Sequence, residues 1–185
     1  MSETSPEDER HKPEELMWEG RFIAAKRRGR WEYVSRARGI GAAVILAIDE
    51  APDGRHVILV DQYRVPLGLR CIELPAGLVG DETAGEPPAL AATRELEEET
   101  GYRAGRMTDL GRFWSSPGMV SESFTLFRAF DLRKVGKGGG VPGEDIRVHR
   151  VPLAHLADWI AARRAEDYAV DVKLLTLLGG AMIGL

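Results

Sequence analysis

Three glutamates at i, i+3 and i+4, Glu95, Glu98 and Glu99, lie in the stretch Gly80–Tyr102, GDETAGEPPALAATRELEEETGY. On a helix that spacing places three carboxylates on one face. Such a face is unfavourable by about 0.2–0.5 kcal/mol per like-charged pair, and carboxylates near a helix C-terminus also oppose its dipole. Two readings account for it. In one the face is solvated, with Arg94 reaching Glu97 or Glu98 as a surface pair. In the other it serves a hard divalent cation, because Mg²⁺ takes oxygen ligands and is commonly shared between carboxylates and substrate phosphates.

The element that must position these groups is a helix. Pro87 and Pro88 are tolerated in a first turn, Ala89 to Glu99 are good helix formers, and Gly101 stands where a C-terminal cap belongs. With its spacings the stretch reads Gly80, five residues, Glu86, seven residues, then Arg94-Glu95-Leu96-x-Glu98-Glu99-x-Gly101-Tyr102. This resembles the Nudix box with every fixed position filled, a far more specific signal than a lone glycine motif. The resemblance implies a hydrolase that cuts a nucleoside diphosphate linked to another moiety, with Glu95, Glu98 and Glu99 holding Mg²⁺ or Mn²⁺. By the same resemblance Arg94 orients a metal-binding glutamate, Arg94 and Glu98 belong to the catalytic set, and Gly80 and Glu86 support the loop–helix–loop.

Further pieces resemble the ADP-ribose pyrophosphatase branch of that family. They are Gln62-Tyr63-Arg64, Glu73-Leu74-Pro75-Ala76-Gly77 just before the box, and Ser116-Pro117-Gly118, with Pro117 sixteen residues beyond Gly101 (117 − 101 = 16). A plain Pro-Gly turn is the other account of the last piece. The branch implies a backbone carbonyl of Ala76 on the metal and a late-loop glutamate as base, matched best by Glu144. Glu122, Asp145 or a box glutamate are the other holders of that role. Arg36 and Arg64 become contacts for the diphosphate and ribose, since guanidinium binds phosphate oxygens bidentately, unless they are surface arginines in ion pairs. Glu73 joins the substrate-binding set. Trp31 and Phe22 occupy positions where eukaryote-like members place two stacking aromatics, Phe22 standing where tryptophan is usual. Pattern alone gives these two rings a packing role on the main domain. The branch also implies a homodimer, whose interface the N-terminal strands form or cross. Another nucleoside diphosphate specificity, or an ADP-ribose sensor without catalysis, is the alternative; sensors usually show a damaged box or an added DNA-binding domain.

Composition sets bounds. A chain of 185 residues, 44% hydrophobic, supports one compact domain with a small appendage. A formal charge of −4 argues against a surface that coats nucleic acid. The single cysteine, Cys71, excludes an intramolecular disulfide, and the N-terminus reads as no leader, which points to the cytoplasm. The apolar runs at 40–48 and 174–185 are too short or too glycine-interrupted to span a bilayer.

Along the chain, residues 1–13 are polar and proline-punctuated and read as a mobile tail. Residues 14–38 alternate like strands about a turn at Arg28-Gly29-Arg30 and read as a β subdomain for dimerisation and substrate contact. Residues 39–185 form the Nudix domain of the resemblance. In it GIGAAVILAIDEA and HVILVDQYR read as paired central strands, Ser123–Phe130 and Ile146–Pro152 as later strands, and Leu153–Ala165 and Val170–Leu178 as helices. The glycine-rich 132–145 reads as a long flexible loop, a lid. The expected class is α+β: an α/β/α sandwich with a mixed sheet, plus an N-terminal antiparallel β subdomain.

Overall fold

The structure, a computed structural model, describes residues 5–80 and 85–182. The box positions 81–84 and the ends of both tails lie outside it. Two strands of eleven residues, β4 (Gly41–Ala51) and β5 (Gly54–Arg64), are the centre of an eight-stranded mixed sheet. The elements before them are a helical turn α1 (Pro6–Glu9) and a three-stranded antiparallel sheet, β1 (Glu14–Glu19), β2 (Ile23–Arg28) and β3 (Trp31–Arg36). After them come β6 (Leu69–Glu73), β7 (Ala76–Val79), helix α2 (Pro88–Thr100), β8 (Tyr102–Arg103), β9 (Arg106–Trp114), β10 (Ser123–Phe130) and β11 (Arg133–Lys134). The chain finishes with β12 (Arg147–Pro152), α3 (Leu156–Ala165), β13 (Ala169–Val170) and α4 (Leu175–Met182).

The unbroken apolar runs of β4 and β5 follow from burial on both faces. Val44, Val57, Leu59, Ile72 and Leu74 pack with Leu156, Ile160, Leu174 and Leu178 beneath α3 and α4. Ala43, Ile45, Ala47 and Ile58 pack on the other side with Ala92 and Leu96 of α2. Strand alternation therefore sorts the same residues into two cores, giving the α/β/α layering expected.

The central strands diverge where the site will sit. One edge of β4 runs parallel to β10 over Ala42–Ala47. Its other edge pairs with β5 over Ile48–Ala51 but with β7 over Gly41–Val44, and between them the Ile45 N–H donates to the Pro75 carbonyl at 2.8 Å. This split presents Ala76 and Gly77 of β7 directly to α2.

The N-terminal sheet is an antiparallel ladder carrying surface ion pairs. Glu14 accepts from Lys26 Nζ at 2.7 Å and Arg28 Nη2 at 3.0 Å, and Arg27 pairs with Glu15 at 2.7 Å. It docks through β3, where the Val34 N–H donates to the Met119 carbonyl and the Ser121 N–H to the Val34 carbonyl. Residues 5–13 pack onto its turn: Glu9, 5% exposed, accepts from Lys12 Nζ at 2.9 Å and the Arg30 N–H at 3.2 Å.

Two late elements differ from expectation. Leu153–His155 is a separate 3₁₀ turn before α3, and the last helix begins only after Asp171 caps a turn through the Lys173 N–H at 2.7 Å. The glycine-rich segment is not a free lid. The N–H of Gly139 donates to the Glu99 carbonyl at 2.7 Å, that of Gly140 to Glu98 at 3.0 Å, and those of Val135 and Gly136 to Gly101 at 2.8 and 3.1 Å. The segment thus caps α2, satisfying carbonyls that a helix end leaves open. Glycine is required because a Cβ at Gly138 would stand 2.4 Å from the Thr100 carbonyl carbon.

Candidate active site

Helix α2 begins after Pro87 and ends at Gly101, which adopts φ +68 and donates its N–H to the Glu97 carbonyl at 2.8 Å. Local punctuation alone accounts for both ends. Its buried stripe, Ala91, Ala92, Leu96, Glu99 and Thr100, turns Glu99 into the sheet. There Glu99, 9% exposed, accepts the Ala76 N–H at 3.0 Å. The contact with Ala76 runs through its amide, whereas the sequence expectation concerned its carbonyl. Glu95 lies against Gly77 so closely that a Cβ at that position would fall 2.0 Å from its carboxyl carbon.

Burial pushes the Glu99 carboxyl up to about 8, with the charges of Glu95 and Glu144 adding and the Ala76 N–H and Arg64 opposing. Glu144 comes from the segment that caps α2. Its carboxylate accepts the Val141 N–H at 2.9 Å, and Gln62 Nε2 donates to its carbonyl at 3.1 Å. Arg64 faces the same region but is forked onto Glu73 at 2.6 and 2.8 Å. Arg94 pairs with Glu95 at 3.1 Å, Glu98 at 3.0 Å and Glu86 at 3.6 Å. Glu95, Glu99, Ala76, Glu144, Arg64 and Glu73 are thus brought together, with Glu98 and Arg94 on the rim.

The remaining sequence-derived residues lie around the N-terminal sheet. Arg36 donates to Glu122 at 2.6 Å, and both line a cavity of about 630 Å³ between that sheet and the main domain. Trp31, 43% exposed, lines an adjoining cavity of about 380 Å³ with Tyr33 and Pro117. Neither cavity is lined by a glutamate of α2. Phe22, 60% exposed, stacks only with Arg21 among the described residues. The register pairs Ile23 with Arg36 and Arg28 with Trp31, so Phe22 and Trp31 sit at opposite ends of the hairpin. Six residues (28 − 22 = 6) at about 3.3 Å each separate them by about 20 Å. At that separation the two rings of one chain do not meet over one base.

Known proteins resemble this chain in sequence and in fold. Residues 38–171 match the NUDIX domain model. The chain is 38% identical to the ADP-sugar pyrophosphatase of Mus musculus, over 94% of this chain and 87% of that protein. It is 41% identical to the ADP-ribose pyrophosphatase of Bacillus subtilis strain 168, over 69% of this chain and 66% of that protein. The crystal structure of an ADP compounds hydrolase superposes with a TM-score of 0.65 at 25% identity, covering 93% of this chain and 92% of that one. Relatives differ in the nucleotide sugar they are named for, GDP-mannose among them. This chain belongs to the Nudix family and is a hydrolase of that class, acting on a nucleoside diphosphate linked to another moiety. No helix among the described residues is long and apolar enough to cross a membrane.

The family implies a divalent metal, and the donors fit one. Glu95, Glu98 and Glu99 offer carboxylate oxygens, the donors a hard cation takes, and the Gly77 cradle admits the Glu95 carboxylate against the backbone. Among the described residues the acidic groups are not drawn onto one point, and the cationic Arg94 guanidinium stands between Glu95 and Glu98.

A pH prediction arises here. Below about pH 4.5 Glu99 is protonated folded and unfolded; between 4.5 and about 8 the folded state alone keeps its proton. The folded state then binds more protons, so stability falls as pH rises through that window. At about 1.4 kcal/mol per unit the loss amounts to a few kcal/mol. In EDTA the melting temperature should fall from pH 5 to 8.5, and Glu99→Gln should flatten the slope. An unaltered slope in that variant would contradict the assignment.

Proposed function

We propose that the chain hydrolyses the pyrophosphate bond of ADP-ribose to AMP and ribose 5-phosphate, or that of a closely related nucleoside diphosphate sugar, with Mg²⁺ as the metal and Mn²⁺ as its substitute. The observation that carries this is the meeting of Glu95, Glu99 and Glu144 with Arg64 over β7 in a Nudix frame. The ADP-directed names of two relatives and the superposed structure support the nucleotide.

Glu95, Glu98 and Glu99, with the Ala76 carbonyl, would hold the metal. When bound, it supplies charge neutralisation on the phosphate oxygens and acidifies water. Arg94 orients Glu95 and Glu98 through the contacts it already makes. Glu144 orients the attacking water and takes its proton as the new P–O bond forms and the bridging P–O bond breaks. Arg64 and Arg36 exchange the carboxylates of Glu73 and Glu122 for diphosphate oxygens, a substitution of one anion for another.

The chain works as a homodimer. The outer strand β1 is exposed along its length, with Leu16 at 57%, Met17 at 53% and Trp18 at 57%, apolar side chains at a sheet edge that a second copy covers. The separation of Phe22 and Trp31 then makes sense as a base site with one ring from each chain. Trp31→Ala should raise KM for ADP-ribose by about tenfold, the loss of one stacking contact, with little change in kcat. An unchanged KM, or a fully active monomer, would return Trp31 to packing. The substrate itself is tested by ranking kcat/KM over ADP-ribose, ADP-glucose, GDP-mannose and nucleoside triphosphates. ADP-ribose should lead; a lead by GDP-mannose or a triphosphate would reject the reading.

A further inference from the structure

An ion network outside the acidic face ends one residue from Glu144. Asp61 of β5 is completely buried in a run that is otherwise apolar. Its carboxylate accepts from Arg70 Nε of β6, and its other oxygen lies 2.6 Å from His149 Nε2 of β12. His149 in turn packs against Trp159 of α3, ring centres 5.1 Å apart. Arg70 keeps two further donors for the loop: Nη1 reaches Asp145 Oδ2 at 2.6 Å and Nη2 reaches the Asp145 carbonyl at 2.8 Å.

Asp145 needs such a grip, because it adopts φ +50, a left-handed conformation that L side chains disfavour. On its other side the Glu144 carbonyl is held by Gln62. The main chain on both sides of the Glu144 side chain is therefore tied to neighbouring strands. A guanidinium suits this task, since its donors form a rigid planar fork that binds Asp61 and Asp145 at once.

We infer that Arg70, fixed in the sheet by Asp61 and His149, is a positioning residue that clamps Asp145 and so aims Glu144 at the acidic face of α2. The inference rests on the reading of Glu144 as the group that orients water. Arg70 touches neither substrate nor metal in this role. A reacting group displaced by about 1 Å loses on the order of a hundredfold in rate, so the clamp acts on the chemical step and leaves binding alone.

The test is a double-mutant cycle on ADP-ribose at saturating Mg²⁺, with melting curves to confirm folding. Arg70→Ala should lower kcat by about ten- to a hundredfold with KM unchanged, and Arg70→Lys, which keeps charge but not the fork, should restore only part. Asp145→Ala, at an exposed side chain, should show the same kcat-selective loss and keeps the test valid should Arg70→Ala fail to fold. In a Glu144→Gln background the same changes should have no further effect. A normal kcat in Arg70→Ala or Asp145→Ala, or a loss carried over in full onto Glu144→Gln, would overturn the positioning role and leave the base reading standing. A normal rate in Glu144→Gln alone would overturn both.

Discussion

Glu98→Gln and Glu99→Gln should each reduce turnover by at least about a hundredfold, the scale expected when one preorganised charge contact to the reacting phosphate is removed. The two positions differ in burial, and the difference separates catalysis from stability. Glu98 has a side chain 36% exposed and paired with Arg94, which also pairs with Glu95 and Glu86, so its loss removes one ion pair without opening the core. Glu99 is buried against the Ala76 amide. Glutamine there keeps an oxygen to accept that N–H while removing a charge that repels Glu95 and Glu144. Glu99→Gln should therefore melt higher than the native chain in EDTA at pH 8 while being nearly inactive, and added Mg²⁺ should stabilise it less. Full activity in either variant, or in the native protein with excess EDTA, would contradict the metal assignment.

Glu144→Gln should lower kcat by about 10²–10⁴, the usual contribution of a positioned general base, with little change in KM or in the Mg²⁺ concentration needed for half-maximal rate. The other holders of the role are less suited by their surroundings. Glu122 is paired with Arg36 at 2.6 Å, in a hairpin cavity that no glutamate of α2 lines. The Arg70 guanidinium holds the Asp145 carboxyl below its usual range, which makes it a poorer proton acceptor. Glu144 alone among the three adds its charge to the environment of Glu99. A normal kcat in Glu144→Gln would move the role to a box glutamate.

What the sequence disclosed was what local chemistry encodes. The start of α2 at its prolines and its stop at Gly101 follow from neighbours within a few residues, and the structure contains both. The two central strands were visible for the same reason, as apolar runs separated by a turn. Long-range partners were hidden. The glycines after Leu132 have no periodicity, so they read as a lid; their order comes from carbonyls of α2 some forty residues earlier, which no local pattern reveals. Trp31 and Phe22 looked like partners by motif, but only the strand register shows them at opposite ends of one hairpin. The Arg70–Asp61–His149 network went unread, although one signal was present: a carboxylate within HVILVDQYR, where a buried central strand has no use for an unpaired charge.

The most direct measurement is product analysis: the purified 185-residue chain is incubated with ADP-ribose and Mg²⁺, and the products are separated and quantified against time. AMP and ribose 5-phosphate should appear in equal amounts, with no release when EDTA replaces Mg²⁺ and almost none from Glu98→Gln. Absence of turnover under these conditions, metal-independent release, or products other than these two phosphomonoesters would contradict the proposed reaction.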